Sequence, residues 1–218
     1  YRLWETSSEP TIITLDSFAP ISAPIVQNGM AVIPHESGMY IIDIESGEWV
    51  SMPIDTKVSP ILGIGNTIYT FDGNKLVAIN NQQINWETTV TGTVGNNLAL
   101  DSEIGYLYSV NQEGTLYKYD ITNGDKSLVY NFNERVSSEI LIDNQGNLYL
   151  GTQSGFFYAM DNEGNVLWRV YLAEPITGSP VIDEDGLIYA IVNNTRIVGI
   201  SNADKEDSKL DAKIDNIT

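Results

Sequence analysis

The side chains that could do chemistry in this chain are carboxylates set in turns, one histidine and a row of small polar residues. Asp143-Asn144-Gln145-Gly146, Asp161-Asn162-Glu163-Gly164 and Asp183-Glu184-Asp185-Gly186 resemble the openings of calcium loops. A calcium loop needs ligands that continue to a bidentate carboxylate at its twelfth position, and these segments run straight into apolar strands instead. They read as Asx turns closing hairpins. His35 is the only histidine and there is no cysteine, which excludes a histidine pair or thiolate set for zinc, a two-histidine relay, a cysteine nucleophile and a disulfide framework. No metal is expected. In Ile33-Pro34-His35-Glu36-Ser37-Gly38 the histidine is expected in an exposed hairpin turn. Glu139, with Asp101, Asp143 and Asp183, raises one further chemistry, glycoside hydrolysis, which needs two carboxylates about 5 to 10 Å apart across one bond.

Whether such groups meet depends on the elements that carry them, and these repeat. Ser138 to Trp168 holds short apolar runs (EILID, LYLGT, FFYAMD, VLW) separated by Asn144-Gln145-Gly146-Asn147, Gln153-Ser154-Gly155 and Asn162-Glu163-Gly164-Asn165. Runs this short, rich in Tyr, Ile and Val and broken by Asx and Gly, form hairpins rather than helices. The second-strand aromatic recurs as Tyr69, Tyr108, Tyr149 and Tyr189, in steps of 39, 41 and 40 residues. The end of the third strand recurs as Asp43, Asn80, Asp120, Asp161 and Ser201, in steps of 37, 40, 41 and 40. A period near 40 with four strands per unit marks a radial propeller, whose sheets bury both faces against their neighbours.

The expected fold is therefore all-β, a five-bladed β-propeller of four-stranded antiparallel blades over residues 1–201, with blades near 21–56, 57–92, 93–134, 135–174 and 175–201. The last copy lacks a closing strand. Tyr1 to Thr6 resembles that strand and is expected to close the ring, which would remove exposed sheet edges; an open part of a larger propeller is the rival. Residues 7–20 carry an insertion in which TIITL could form an extra strand. In the charged tail 202–218, Leu210, Ile214 and Ile217 fall at helical spacing, so the tail is a short helix or a linker.

GSPVIDEDGLIYA (Gly178 to Ala190) and AMDNEGNVLW (Ala159 to Trp168) resemble the PQQ-like repeat of the quinoprotein alcohol dehydrogenase-like propellers. The resemblance implies that the last-strand tryptophans Trp49, Trp86 and Trp168 dock between neighbouring blades, with Leu128 or Val129 taking that place in the third copy. The family's quinone dehydrogenases have eight blades, and many carry a vicinal cysteine pair. With five copies and no cysteine here, no cofactor is expected.

The blades open on ISAPIV, VSPIL, VGNNLAL, VSSEILID and TGSPVID, which should line the channel. Their starts bring Ser22, Ser59, Asn96, Asn97, Ser138, Glu139 and Ser179 to one mouth, with Lys57 and Arg135 just before two of them. These residues are the candidate binding site, and Tyr106, Tyr117, Tyr119 and Tyr171 are candidate stacking surface. Glu139 stands where Pro24, Pro60 and Pro180 stand in other copies. A net charge of −18, from 29 acidic and 11 basic residues, argues against nucleic acid and anionic membrane as partners. No apolar run reaches membrane-span length. The reading is a non-catalytic binding or assembly module outside the cytoplasm, extracellular or at the cell surface, with a protein or glycan partner or as a subunit of a larger assembly; the alternative is a glycoside hydrolase using Glu139.

Overall fold

The computed structural model describes residues 20–56, 58–95 and 97–201. The expectations for the strand 1–6, for TIITL and for the tail 202–218 lie outside these residues, as do Lys57 and Asn96.

The described residues form five antiparallel meanders. The first sheet is β1 (Ile25–Gln27), β2 (Met30–His35), β3 (Gly38–Asp43) and β4 (Trp49–Met52). The second is β5 (Ile61–Leu62), β6 (Ile68–Asp72), β7 (Lys75–Asn80) and β8 (Gln83–Thr89). The third is β9 (Asn97–Asp101), β10 (Tyr106–Val110), β11 (Thr115–Asp120) and β12 (Lys126–Asn131). The fourth is β13 (Leu141–Ile142), β14 (Leu148–Gly151), β15 (Phe156–Met160) and β16 (Val166–Tyr171). The fifth has three described strands, β17 (Ile176–Ile182), β18 (Ile188–Val192) and β19 (Arg196–Ile200). Within each sheet the strands pair in chain order, and the innermost strands stand side by side from β1 through β5, β9 and β13 to β17.

The turns are Asx turns. Asp143 Oδ1 accepts the N–H groups of Gln145 and Asn147, both at 2.8 Å, and its Oδ2 accepts the Tyr149 hydroxyl at 2.9 Å. Asp161 and Asp183 grip the second and fourth residues after them in the same way. A carboxylate spent on closing its own turn has little left for a cation, and this identifies the loops as hairpin closures.

The core lies between sheets. Val32, Met39, Ile68, Val77 and Ile79 fill the space between the first and second, and Tyr69, Leu76, Leu107 and Tyr119 that between the second and third. Tyr108, Leu148, Leu150 and Tyr158 join the third and fourth, and Phe157, Ile188, Ala190 and Val198 join the fourth and fifth. Strand residues alternate between the two faces, so the second, third and fourth sheets each serve two cores. The face of the fifth sheet turned away from the fourth carries Val181 at 55%, Ile191 at 36% and Ile197 at 59% exposure.

The tryptophans do not all behave alike. Trp86 pairs with Ala78 across a bulge, packs near Tyr69 and donates its indole N–H to the Ile121 carbonyl of the next sheet at 2.9 Å. Trp168 pairs with Ala159, also across a bulge, and lies near Tyr149 and Phe157. Trp49 departs from the expectation: β4 has no bulge, so Trp49 pairs with Ile42 and Val50 with Ile41. One residue of register turns a side chain to the other face, and Trp49 sits edge-on to Tyr40, 37% exposed.

Three further expectations are corrected. In the third sheet Leu128, which is 61% exposed, does not replace the tryptophan, while Val129 packs against the core between the third and fourth sheets and lies against Gly164 as Trp86 lies against Gly124. The hydrogen bond passes to Lys118: its ammonium reaches the Asn162 carbonyl at 3.2 Å and Glu163 at 2.6 Å, and lies over the Tyr106 ring. Asn162 follows Asp161 as Ile121 follows Asp120, so the acceptor position is the same. His35 is buried, not exposed; its Nδ1 accepts the Ser37 N–H at 3.2 Å, its ring lies 4.4 Å from that of Tyr40, and burial pushes its pKa down. Tyr119 is fully buried and bonds Ser109 at 3.2 Å, so it offers no stacking surface.

These contrasts order three variants. Trp86→Ala should cost about 3 kcal/mol through lost packing, and Trp86→Phe about 1 kcal/mol through the lost hydrogen bond. Trp49→Ala should cost less than half of the first. Urea midpoints at matched m-values measure all three; equal costs for Trp49→Ala and Trp86→Ala would sink the distinction.

Candidate functional site

Close to the starts of the innermost strands, the row of small polar residues acts first on neighbouring strands. Asn97 donates from its side-chain amide to the Ser138 carbonyl. Ser138 Oγ accepts the Gly151 N–H at 2.7 Å and donates to the Glu139 carbonyl at 2.8 Å. Ser137 Oγ donates to the Ile176 carbonyl at 2.6 Å, and the Glu139 N–H to the Gly178 carbonyl at 3.2 Å. One line of bonds thus ties the third sheet to the fourth and the fourth to the fifth. Buried polar groups at strand starts must find partners: Asn97, Ser137 and the Glu139 N–H find them on the next sheet, and the Ser138 hydroxyl within its own.

Beside this line is a small polar recess of about 170 Å³, lined by Gly95, Asn97, Asn111, Gln112, Arg135, Ser137 and Glu139, with Val110 and Val136. Three of the nine candidates, Asn97, Arg135 and Glu139, meet here. Ser138 stands behind them, buried, and supports the wall. Ser22, Ser59 and Ser179 do not line the recess, and Lys57 and Asn96 lie outside the described residues. Asn111 and Gln112 were missed by sequence reading. They come from the turn joining the second and third strands of the third sheet, which reaches the same end as the strand starts. Asn111 is itself spent on the backbone, accepting from the Thr115 N–H at 2.7 Å and donating to the Thr91 carbonyl at 2.9 Å.

Glu139 is the only carboxylate among the lining residues. Burial pushes its carboxyl above the usual range, and it forms no ion pair among the described residues. The other inner-strand carboxylates are used elsewhere. Asp101 accepts the N–H groups of Glu103 and Ile104, while Asp143 and Asp183 close their own turns. At Asp143 burial raises the carboxyl, and hydrogen bonds from Asn147, Gln145 and Tyr149 together outweigh it, leaving a pKa below the ordinary value. Besides Asn111, the recess thus offers the two amides of Asn97 and Gln112, one guanidinium and one carboxyl that gives up its proton reluctantly, a set suited to recognising a polar group.

The raised Glu139 carboxyl has a definite sign. The folded chain holds that proton more tightly than the unfolded chain, so the stability it contributes is full below the unfolded pKa and is lost as pH rises through the folded value. Glu139→Gln should therefore raise stability at pH 7 by a few tenths of a kcal/mol, small because water screens a half-exposed group. Below about pH 4 it should change nothing. Urea unfolding at both pH values tests this, and a destabilised variant at pH 7 would mean that the carboxylate has a stabilising partner.

Comparison with known proteins gives the chain its relatives. The sequence model of the PQQ-like family described as outer membrane protein assembly factor BamB matches residues 62–217. No curated protein matches. Among solved structures, BamB from Moraxella catarrhalis superposes with a TM-score of 0.66 at 13% identity, over 87% of this chain and 64% of that one. The extracellular domain of the one-component-system protein BT4673 from B. thetaiotaomicron gives 0.57 at 18% identity, over 78% of this chain and 25% of that one. The chain thus spans less than two thirds of either relative. Identities this low carry the fold alone.

Proposed function

Since the chain belongs to the PQQ-like propeller family described as outer membrane protein assembly factor BamB, we propose that it is a non-catalytic binding module that presents its loop faces to a protein partner in an assembly. The observation that carries this reading is the match to an assembly-factor family over residues 62–217, which takes in the second to fifth sheets. Rigid sheets with loops gathered at both ends form broad recognition faces. The single carboxylate in the strand-start recess supports binding over glycoside hydrolysis, which needs two. The charge of −18 favours a neutral or basic partner surface. The extracellular origin of one structural relative supports a place outside the cytoplasm. A glycan remains the second class of partner.

In this reading five blades form the ring, and residues 1–6 supply the fourth strand of the last. Leu3-Trp4-Glu5-Thr6 repeats the pattern of Asn85-Trp86-Glu87-Thr88 in β8. Gly199 pairs with Tyr189 as Ala78 pairs with Tyr69 and Ala159 with Tyr149, so a tryptophan opposite Gly199 would repeat the contact made twice already.

Two experiments test the proposal. A photo-crosslinking residue at Ser59, Arg135 or Ser179 should give a discrete adduct that weakens with salt, and the same residue at Ser127, exposed on the outer strand β12, should not. Glycan turnover that disappears in Glu139→Gln would replace binding with catalysis. Separately, deleting residues 1–6 should lower the melting temperature and strip hydrogen-exchange protection from Arg196–Ile200. Unchanged protection there would leave the fifth sheet without that strand and the ring unclosed by it.

A further inference from the structure

The first and second sheets enclose a cavity at a place that the second and third and the third and fourth pairs fill; the fourth and fifth sheets also leave an opening, of about 1210 Å³, but there Trp168 itself lines it. Between the second and third sheets the space over Ala78 holds Trp86, bonded to the Ile121 carbonyl. Between the third and fourth it holds Lys118, bonded to the Asn162 carbonyl, and between the fourth and fifth it holds Trp168 over Ala159. The first sheet replaces the two aromatics of this arrangement with small residues. Val32 stands opposite Ile41 as Tyr69 stands opposite Ala78, and Val50 pairs with Ile41 where Trp86 pairs with Ala78. The Trp49 ring packs on Tyr40 at the other face, while the residue itself remains at the cavity's edge.

The wall supplied by the second sheet is also lower. Its last turn is only Asn81 and Gln82, both left-handed with φ of 49° and 62°. The corresponding turn of the third sheet runs from Ile121 to Asp125 and lays Gly124 against Trp86, where an added Cβ would come within 2.6 Å of the indole. Two aromatic side chains fewer and a shorter turn leave a cavity of about 660 Å³ between the first and second sheets, open to solvent. Its apolar floor includes Met30, Ile41, Val50 and Ile79, and Asp43 and Glu48 stand at its rim. Asn81 follows Asn80 as Ile121 follows Asp120, so its carbonyl holds the position that accepts the Trp86 indole in the next pair. The cavity is of ligand-binding size, apolar below and polar at the edge.

We infer that this cavity is a binding site for a tryptophan side chain carried on an extended, basic segment of a partner protein. The occupant follows from the repeat, because the homologous space is shaped for an indole with a carbonyl acceptor. The flanking basic residues follow from the rim carboxylates and the strongly negative chain. An aromatic anchor seated in a preformed apolar pocket with a charged rim is how a few residues supply most of a binding energy. The site lies at the end of the sheets opposite the Glu139 recess and does not depend on it.

Methyl NMR of the whole chain, labelled at Met and Ile, tests this with the peptide acetyl-Lys-Trp-Lys-amide. The Met30, Ile41 and Ile79 methyl signals should shift and saturate. Acetyl-Lys-Leu-Lys-amide should bind about tenfold more weakly or worse. Val50→Trp, which fills the cavity from within, should abolish the shifts while the remaining methyl spectrum stays that of the folded chain. Should that variant not fold, the double charge reversal Asp43→Lys with Glu48→Lys, at exposed positions, should weaken the tryptophan peptide by a similar factor. Shifts that are absent, equal for the leucine peptide, or indifferent to the variants would overturn the site. So would Trp4→Ala moving these methyls in the free chain, since the indole would then be the protein's own.

Discussion

A donor side chain that leans from one sheet onto the carbonyl just past the third strand of the next holds this structure in order. Apolar burial drives the sheets together, but it is non-directional and would tolerate a slide of one sheet along another. A hydrogen bond to one particular carbonyl does not. Trp86 on Ile121 and Lys118 on Asn162 use the same acceptor position with unrelated chemistry. The lysine is the more demanding solution. A buried ammonium needs full compensation, and it finds the carbonyl, Glu163 and the face of Tyr106.

That constraint divides the molecule into two functional ends. At the strand starts, serine, asparagine and backbone groups tie the third, fourth and fifth innermost strands, so Asn97 and Ser138 of the row that looked ligand-binding are spent on architecture. What they leave available is small, around Arg135 and Glu139. At the other end Trp86 and Lys118 fill the spaces between the second and third and the third and fourth sheets. Where β4 lacks a bulge, the clamp is missing and the space becomes a cavity. One residue of register thus links a local hairpin detail to a surface feature able to bind.

The fold was legible because it repeats. A turn of Asp and Gly with an aromatic in the strand that follows, recurring every 40 residues or so, leaves little choice of architecture, and the Asx turns behave as their chemistry requires. The candidate site was legible in part: Asn97, Arg135 and Glu139 could be found from their positions in the repeat, since strand starts converge in any propeller. Asn111 and Gln112 could not, because they reach that end through another connection.

The amino-acid sequence by itself determined the all-β class, the meander of short strands, the stacking of sheets through shared cores and the acidic surface, since each follows from local periodicity, turn residues and charge. Only the tertiary structure decided which face each tryptophan takes, that Lys118 makes the hydrogen bond of the missing one, that His35 and Tyr119 are buried and that the first two sheets enclose a cavity. The physical reason is that facing depends on a one-residue bulge. Its energy is set by how two sheets fit together rather than by the residues that carry it.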